Sequence, residues 1–215
     1  MAASKPRDTR NKGVTRLMVM QAATDLLAEA GMGALSMRKV AMRLGVSPTA
    51  LYNHVQSKED LLALVADQLR GQIVVDEDDQ PRAQLLSLLT QLRDLGAKHP
   101  NLLEGTSALA TSHYAAELAV LELRLLRDLG LTAAQIRVAY QGLVLLVNGA
   151  AVVWRAAAEA PSATRSLRAL IDATADPQDR QLLSDVDAAR PEEDPEDAFA
   201  LAVDQVLRAA AGWAG

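Results

Sequence analysis

The segment LGVSPTALYNHVQSKEDLL, residues 44–62, contains two helix-start signals a short distance apart. Ser47 is a favourable N-cap, and Pro48 suits the first helical position, where its missing N–H costs nothing. Ser57 is followed three residues later by Asp60, whose charge is favourable in the first turn of a helix. The spacing predicts a short helix of about two turns after Ser47 and a second helix after Ser57.

Another short helix is predicted just before this segment. Ser36 can cap a helix over residues 37–44, in which Val40 and Ala41 lie on one apolar edge. Gly45 stands where a helix C-cap favours a residue that tolerates positive φ. Two short helices around a tight turn form a helix-turn-helix, whose second helix can enter the major groove of DNA. Plain helical packing produces the same pattern, so the spacing alone leaves DNA binding and a structural role equally open.

The preceding segment completes a three-helix unit. From Arg16 to Gly31 the apolar residues recur at the spacing of one face of an amphipathic helix: Val19, Ala22, Ala23, Leu26, Leu27 and Ala30. Such a helix can pack on the other two and close a small core, with Leu35 and Val46 as fillers. Beyond it, only helices are predicted, because alanine and leucine dominate and β-branched alternation is absent.

Charge is distributed unevenly along the chain. Residues 1–58 carry nine basic and three acidic side chains, a net charge of +6, whereas residues 59–215 have a net charge of −11. A basic patch around a helix-turn-helix is what contact with DNA phosphates requires. The first dozen residues are equally consistent with a solvated tail that contacts no DNA. The overall charge of −5 argues against general coating of nucleic acid.

The run AATDLLAEAGMGALSMRKVAMRLGVSPTALYNHVQSKEDLLALVAD, residues 22–67, resembles the N-terminal DNA-binding domain of the TetR family of bacterial transcriptional regulators. The positions that carry this resemblance are Gly31, Gly33, Ser36, Val40, Ala41, Leu44 to Ser47, Leu51, Tyr52, His54 and Lys58 to Leu61. The resemblance implies an all-α fold, in which a three-helix DNA-binding head with a helix-turn-helix precedes a helical body for ligand binding and dimerisation. We therefore divide the chain into residues 1–58 and residues 59–215.

The same resemblance implies a set of DNA-contacting residues: Ser36, Arg38, Ser47, Thr49, Ala50, Tyr52, Asn53, His54 and Lys58. Ser36 and Arg38 would touch the backbone beside the groove, and Lys58 would hold a phosphate. The family often has glycine at the position of Thr49, and an aromatic residue at that of His54 or Val55. Base-reading contacts therefore cannot be copied from a relative.

The helices expected after the helix-turn-helix span residues 58–75, 82–97, 102–112, 114–129, 133–159, 163–173, 177–187 and 195–212. The first of these is the element expected to link the two parts of the chain. Half of the composition is apolar, which is enough for a sizeable core. The sequence thus predicts a small head and a larger helical body.

Composition also narrows the chemistry. The chain has no cysteine, which excludes structural disulfides, cysteine redox sensing and thiolate metal sites, and its three histidines are scattered. We expect no metal, no cofactor and no catalytic site, because nothing resembles a metal cluster, a phosphate loop or a catalytic triad. The charged N-terminus is unlike a signal peptide, so we expect a cytoplasmic protein.

The segment LVLLVNGAAVVW, residues 143–154, has almost no polar face. We expect it to be too short for the ~20 residues that cross a bilayer, and therefore to be covered by protein. One side would face the core, and the other would meet a second copy of the chain, with Gly149, Ala150 and Ala151 allowing close approach. The last helix, with Phe199, Val206 and Trp213, would complete a four-helix dimer interface.

Polar residues among the apolar helices suggest an effector pocket: His99, Asn101, Thr106, His113, Tyr140 and Asn148. Each of them can equally be a helix cap, a turn residue or a satisfied core group. With one Phe, two Trp and three Tyr in the chain, the pocket lining should be mostly aliphatic. An apolar or flexible small molecule fits such a lining better than a flat polyaromatic cation does.

Two classes of function remain open. The first is a ligand-responsive transcriptional regulator, a repressor that binds a palindromic operator as a homodimer and is released by a small-molecule effector. The second is an enzyme or small-molecule carrier on a helical scaffold with a vestigial head. The basic head favours the first class, because a vestigial head has no reason to display Tyr52, His54 and Lys58 beside a charge of +6.

Overall fold

The computed structural model describes residues 13–31, 33, 35–99, 112–159, 176–188 and 195–213. Within these ranges the chain forms helices and no strand: α1 Arg16–Ala30, α2 Met37–Leu44, α3 Pro48–Leu51, α4 Lys58–Arg70, α5 Pro81–Lys98, α6 His113–Asp128, α7 Ala133–Glu159, α8 Pro177–Ala188 and α9 Pro195–Ala211. The all-α fold class is confirmed.

Side-chain caps begin the first four helices. The hydroxyls of Thr15, Ser36, Ser47 and Ser57 accept hydrogen bonds from the backbone N–H three residues later, at 3.2, 3.3, 3.2 and 3.0 Å. Each bond satisfies a donor that the first helical turn leaves unpaired. Gly45 ends α2 in the left-handed conformation, with φ of 69°, as its position predicted. The helix-turn-helix is therefore specified by local capping chemistry.

Two helices are shorter than predicted. The helix after Ser47 ends at Leu51, because the backbone then turns to bury Val55, which is fully buried in the core. Helix α4 ends at Arg70 rather than at residue 75. A Cβ atom at Gly71 would lie 2.7 Å from the ring of Tyr114, so only glycine fits where the chain leaves α4.

Two other predicted helices cannot be compared in full. The helix expected over residues 163–173 lies outside the described residues, as does the helix over 102–112 apart from Ser112. Ser112 precedes α6 and is not helical.

The first compact unit of the chain comprises the residues up to Val74 together with His99 to Leu121. Helix α1 packs on α2 and α4, and α2 packs on α3. Their shared hydrophobic core is formed by these residues: Val19, Ala22, Ala23, Leu27, Leu35, Val40, Ala41, Leu51, Val55, Leu61, Val65 and Ala66. Three of these residues belong to α4, so the helix that begins at Lys58 is part of this core. The division of the chain into residues 1–58 and 59–215 stays a prediction. The first compact unit extends past that boundary, to Val74.

The second compact unit comprises Val75 to Lys98 and Glu122 to the C-terminus. Its centre is α7, which packs on α5 and on α9. Gly142 of α7 lies so close to α9 that a Cβ atom there would be 2.9 Å from Val206. Arg82 of α5 pairs with Asp204 of α9 at 2.6 Å, and that hydrogen bond lowers the pKa of Asp204.

The length of α7 contradicts the expectation that the apolar segment, residues 143–154, is too short to cross a bilayer. The segment lies within a helix of 27 residues, and the stretch Ala133–Ala156 is long and apolar enough to cross a membrane by length and composition alone. The argument from shortness is therefore wrong. Core helices of soluble proteins pass the same test, and α7 buries Leu143, Val147 and Ala151 against its own chain. Ala151, expected at a dimer interface, is only 6% exposed and belongs to that inner face.

Candidate nucleic-acid interface

Helix α3 and the turn that follows it present two different sides. Leu51 and Val55 are fully buried, whereas Thr49, Tyr52 and Asn53 are exposed. Tyr52 has 53% of its surface exposed, which is unusual for a large aromatic side chain in a small helical unit. The apolar residues fix α3 and its turn on the core, so the polar residues are held outward on a rigid support.

Beside this turn lies a polar concavity with a volume of about 680 Å³. The residues that line it are Arg16, Tyr52, Asn53, His54, Gln56, Ser57 and Asp60. The carboxylate of Asp60 accepts a hydrogen bond from the backbone N–H of Gln56 at 2.9 Å. It also lies 3.8 Å from a guanidinium nitrogen of Arg16. Asp60 therefore fixes the backbone before α4 and pairs with Arg16 of α1, at one edge of the concavity.

The basic residues of the helix-turn-helix have different surroundings. Arg38 and Lys39 in the first turn of α2, and Lys58 at the start of α4, are exposed. Arg43 instead forms two hydrogen bonds with Glu29 of α1, at 2.6 and 2.5 Å. These bonds raise the pKa of Arg43 and lower that of Glu29. Arg43 thus joins α2 to α1, whereas Arg38, Lys39 and Lys58 have no ion pair of this kind with the described residues and are exposed.

The predicted DNA-contacting residues all lie within the described helices α2 to α4 and their turns. Six of them are exposed and three are half-buried: Arg38, Ser47, Thr49, Tyr52, Asn53 and Lys58, followed by Ser36, Ala50 and His54. DNA contact by each residue stays a prediction. Arg16 was missing from the predicted set, because its place beside Tyr52 depends on the packing of α1 against α4, which sequence spacing does not reveal.

The residues predicted to line an effector pocket are in varied environments. Asn101 and Thr106 lie outside the described residues, and His99 and Tyr140 are half-buried. His113 is exposed and pairs with Glu117 at 3.2 Å, and Asn148 is exposed and donates to the backbone oxygen of Val144 at 2.7 Å. An inward orientation is therefore wrong for His113 and Asn148. A role in ligand binding for any of these residues stays a prediction.

Two buried charged residues of the second unit were absent from the sequence-based set. Arg93 of α5 is fully buried, and its guanidinium lies 4.1 Å from the ring centre of Trp154 and 4.7 Å from that of Phe199. Glu122 of α6 is 5% exposed, and burial raises its pKa to about 7. Helical periodicity could have flagged Glu122, because it falls on the same stripe as Ala115 and Leu126.

Comparison with known proteins gives a family match for residues of the first unit. The model of a family described as bacterial regulatory proteins, tetR family, matches residues 19–65, which span α1 to α4. An HTH-type transcriptional regulator of Saccharopolyspora erythraea is 33% identical over 121 residues, which are 52% of this chain and 49% of that protein. Residues 19–65 are therefore similar to tetR-family regulatory proteins. The chain spans about half the length of this relative.

Solved structures extend the similarity to nearly the whole chain. ActR of Streptomyces coelicolor in complex with (S)-DNPA, 20% identical, covers 94% of this chain and 100% of its own with a TM-score of 0.73. BioQ with its double-stranded DNA operator, 28% identical, covers 83% of this chain and 100% of its own with a TM-score of 0.58. TetR-family regulators are ligand-responsive DNA-binding transcriptional regulators, usually repressors, and are generally not enzymes.

Proposed function

We propose that this chain is a TetR-family repressor that binds a palindromic operator as a homodimer and leaves it when a small-molecule effector binds the second unit. The observation that carries the proposal is the rigid display of Tyr52, Asn53 and Thr49 between the exposed cations Arg38 and Lys58. Polar side chains between phosphate-binding cations suit a protein that reads base edges in the major groove. The protein would act in the cytoplasm.

The first test is footprinting of the purified chain on the DNA that flanks its own gene. Protection of two half-sites related by two-fold symmetry, with centres about one helical turn or a multiple of it apart, would support a dimeric repressor. Absence of any protected sequence in that DNA, together with equal affinity for unrelated DNA, would contradict it.

Lys58→Ala should weaken operator binding by removing one phosphate contact. We expect the slope of log K against log salt to fall by about one unit, because one fewer counterion is released. Tyr52→Ala should lower operator affinity about ten-fold, the size of one base or backbone contact, with unchanged thermal stability because the side chain is exposed. Lys98→Ala, at the end of α5, removes the same charge outside the first unit and is the matched control.

Equal salt slopes for the parent and Lys58→Ala, with unchanged affinity for Tyr52→Ala, would show that this face does not contact the operator. A loss of affinity in Lys98→Ala equal to that in Lys58→Ala would attribute the effect to net charge alone.

An exposed apolar face on α7 supports the homodimer. Leu145 is 75% exposed, Val153 66% and Val152 53%, on the side of the helix opposite Leu143 and Val147. Gly149 on this face has open space where a Cβ atom would stand, so a second helix could approach closely. Homodimers are typical of the family. A second copy of the chain is therefore the occupant we assign to this face, rather than lipid.

Leu145→Glu and Val153→Glu should each convert the dimer to a monomer, because a charge would be buried without a partner in an interface expected to exceed ~2,000 Å². Leu182→Glu places the same charge on an exposed leucine of α8 and is the control. Sedimentation equilibrium at micromolar concentration measures the mass directly. A parent chain with the mass of one chain, or variants that stay dimeric, would contradict this interface.

A further inference from the structure

A carboxyl group is buried without a full set of partners in the second unit. Glu122 is 5% exposed, and its Oε1 atom accepts no hydrogen bond from the residues that the structure describes. A buried polar atom that lacks a partner destabilises the folded chain, and a buried charge destabilises it more. Such a group on the inner face of a helix is the kind of feature that a ligand can complete.

The neighbours of Glu122 on its own helical face are apolar, and the phenol of Tyr140 on α7 is near it. Leu125 and Leu126 of α6, and Ala139 and Leu143 of α7, are all buried. Tyr140 of α7 is half-buried, and both its burial and the charge of Glu122 raise its pKa. An electrostatic effect between the two groups requires them to be near each other, because exposed charges far apart are screened. Glu122 therefore has buried leucines beside it on its own helix and one hydroxyl near it.

We propose that Glu122 is the polar anchor of the effector site, and that the effector is an amine whose cationic nitrogen binds this carboxylate while its apolar body lies against the aliphatic side chains of α6 and α7. This inference rests on the proposed function and names the chemical class of its effector. Of the set drawn from sequence the proposal keeps Tyr140, whereas His113 and Asn148 are exposed.

The chemistry of the site discriminates among ligand classes. An ammonium group donates charge-assisted hydrogen bonds, which are about twice as strong as neutral ones, and neutralises the buried carboxylate. A neutral alcohol can donate one hydrogen bond but leaves that charge uncompensated. A carboxylate ligand would place a second negative charge beside Glu122 and would be excluded.

The experiment uses the full chain and three probes with the same eight-carbon body: octylammonium, octanol and octanoate. Isothermal titration calorimetry measures their dissociation constants for the parent, Glu122→Gln and Asp128→Asn. The last variant removes one negative charge from the exposed end of the same helix and is the matched control. Circular dichroism of each variant confirms that it is folded.

We expect the parent to bind octylammonium at least ten-fold more tightly than octanol, and octanoate more weakly than either. Glu122→Gln should lose at least ten-fold in affinity for octylammonium and little for octanol, while Asp128→Asn should match the parent. In the parent, octylammonium affinity should rise about ten-fold from pH 6 to pH 8, because the carboxyl must lose its proton to pair with the cation. The pH profile needs no variant.

Octanoate binding as tight as octylammonium binding, or equal octylammonium affinities in the parent and Glu122→Gln, would overturn the proposal. Flat pH dependence in the parent would also overturn it. Footprinting without any probe tests the proposed function separately. A chain that protects its operator but binds octylammonium without regard to Glu122 refutes only the effector class, whereas a chain that protects no operator refutes the repressor.

Discussion

Glu122→Gln should gain about 2 to 3 kcal/mol of unfolding free energy relative to the parent as the pH rises from 5 to 8. Burial raises the pKa of Glu122 from 4.5 to about 7 in the folded chain. Between those values the folded state holds a proton that the unfolded state has released, so the parent loses stability as the pH rises through this window. Glutamine cannot ionise, and the variant should lack this loss.

Other shifted groups titrate outside that window. The pKa of Asp204 is lowered by its hydrogen bond with Arg82, and that of Glu29 by its hydrogen bond with Arg43. Stabilisation by a carboxylate with a lowered pKa is lost only as the pH falls below its unfolded value, so it does not change between pH 5 and 8. The difference between variant and parent therefore isolates Glu122.

Urea denaturation followed by circular dichroism, at closely spaced pH values from 5 to 8, measures this difference. Asp128→Asn should give a curve parallel to that of the parent, because Asp128 is exposed. Parallel curves for the parent and Glu122→Gln would mean that Glu122 has an ordinary pKa and is not a neutral buried acid at pH 6.

Sequence reasoning succeeded where structure is determined locally. Ser36, Gly45, Ser47 and Ser57 occupy the caps that their chemistry favours, because a cap depends on three or four neighbouring residues. The apolar stripe of α1 was predicted for the same reason, since helical periodicity alone places Val19 and Ala23 in the core.

Sequence reasoning failed where packing between residues distant in the sequence determines the structure. The early end of α3 depends on Val55 reaching the core, and the fit of glycine at residue 71 depends on the ring of Tyr114, which is distant in sequence. Ala151 was assigned to the outer face of α7 although periodicity from Leu143 and Val147 places it inside. Glu122 was not predicted to be buried, because a charged residue in a helix is usually solvated, although it lies on the apolar stripe of Ala115 and Leu126.

Asp67 of α4 links the helix that starts at Lys58 to the first turn of α6. Its carboxylate accepts hydrogen bonds from the backbone N–H groups of His113 at 3.1 Å, Tyr114 at 2.9 Å and Ala115 at 3.3 Å, and from the hydroxyl of Ser112. A carboxylate that caps three N–H groups complements the positive end of a helix. This connection was not predicted, because Asp67 and Ser112 are far apart in the sequence.

Asp67→Ala should lower the unfolding free energy by about 2 kcal/mol, the cost of losing a charged helix cap and leaving buried donors unpaired. Hydrogen exchange at the amides of residues 113–115 should become faster, because those N–H groups lose their acceptor. Asp176→Ala is the matched control, since Asp176 accepts from Gln178 and Asp179 at the start of α8. It should lose a helix cap without changing exchange at residues 113–115.

Operator DNA extends the test to function. If Lys58 contacts the operator, binding restrains the motion of α4. That restraint can reach α6 only through groups that join the two helices. Asp67 is such a group, because its carboxylate accepts four hydrogen bonds from residues 112–115. Coupling between two binding sites is reciprocal. If effector binding changes operator affinity through these contacts, operator binding also changes the effector site through them. Adding operator should therefore slow exchange at residues 113–115 in the parent and in Asp176→Ala, and leave it unchanged in Asp67→Ala. The same slowing in Asp67→Ala would show that the signal follows other contacts.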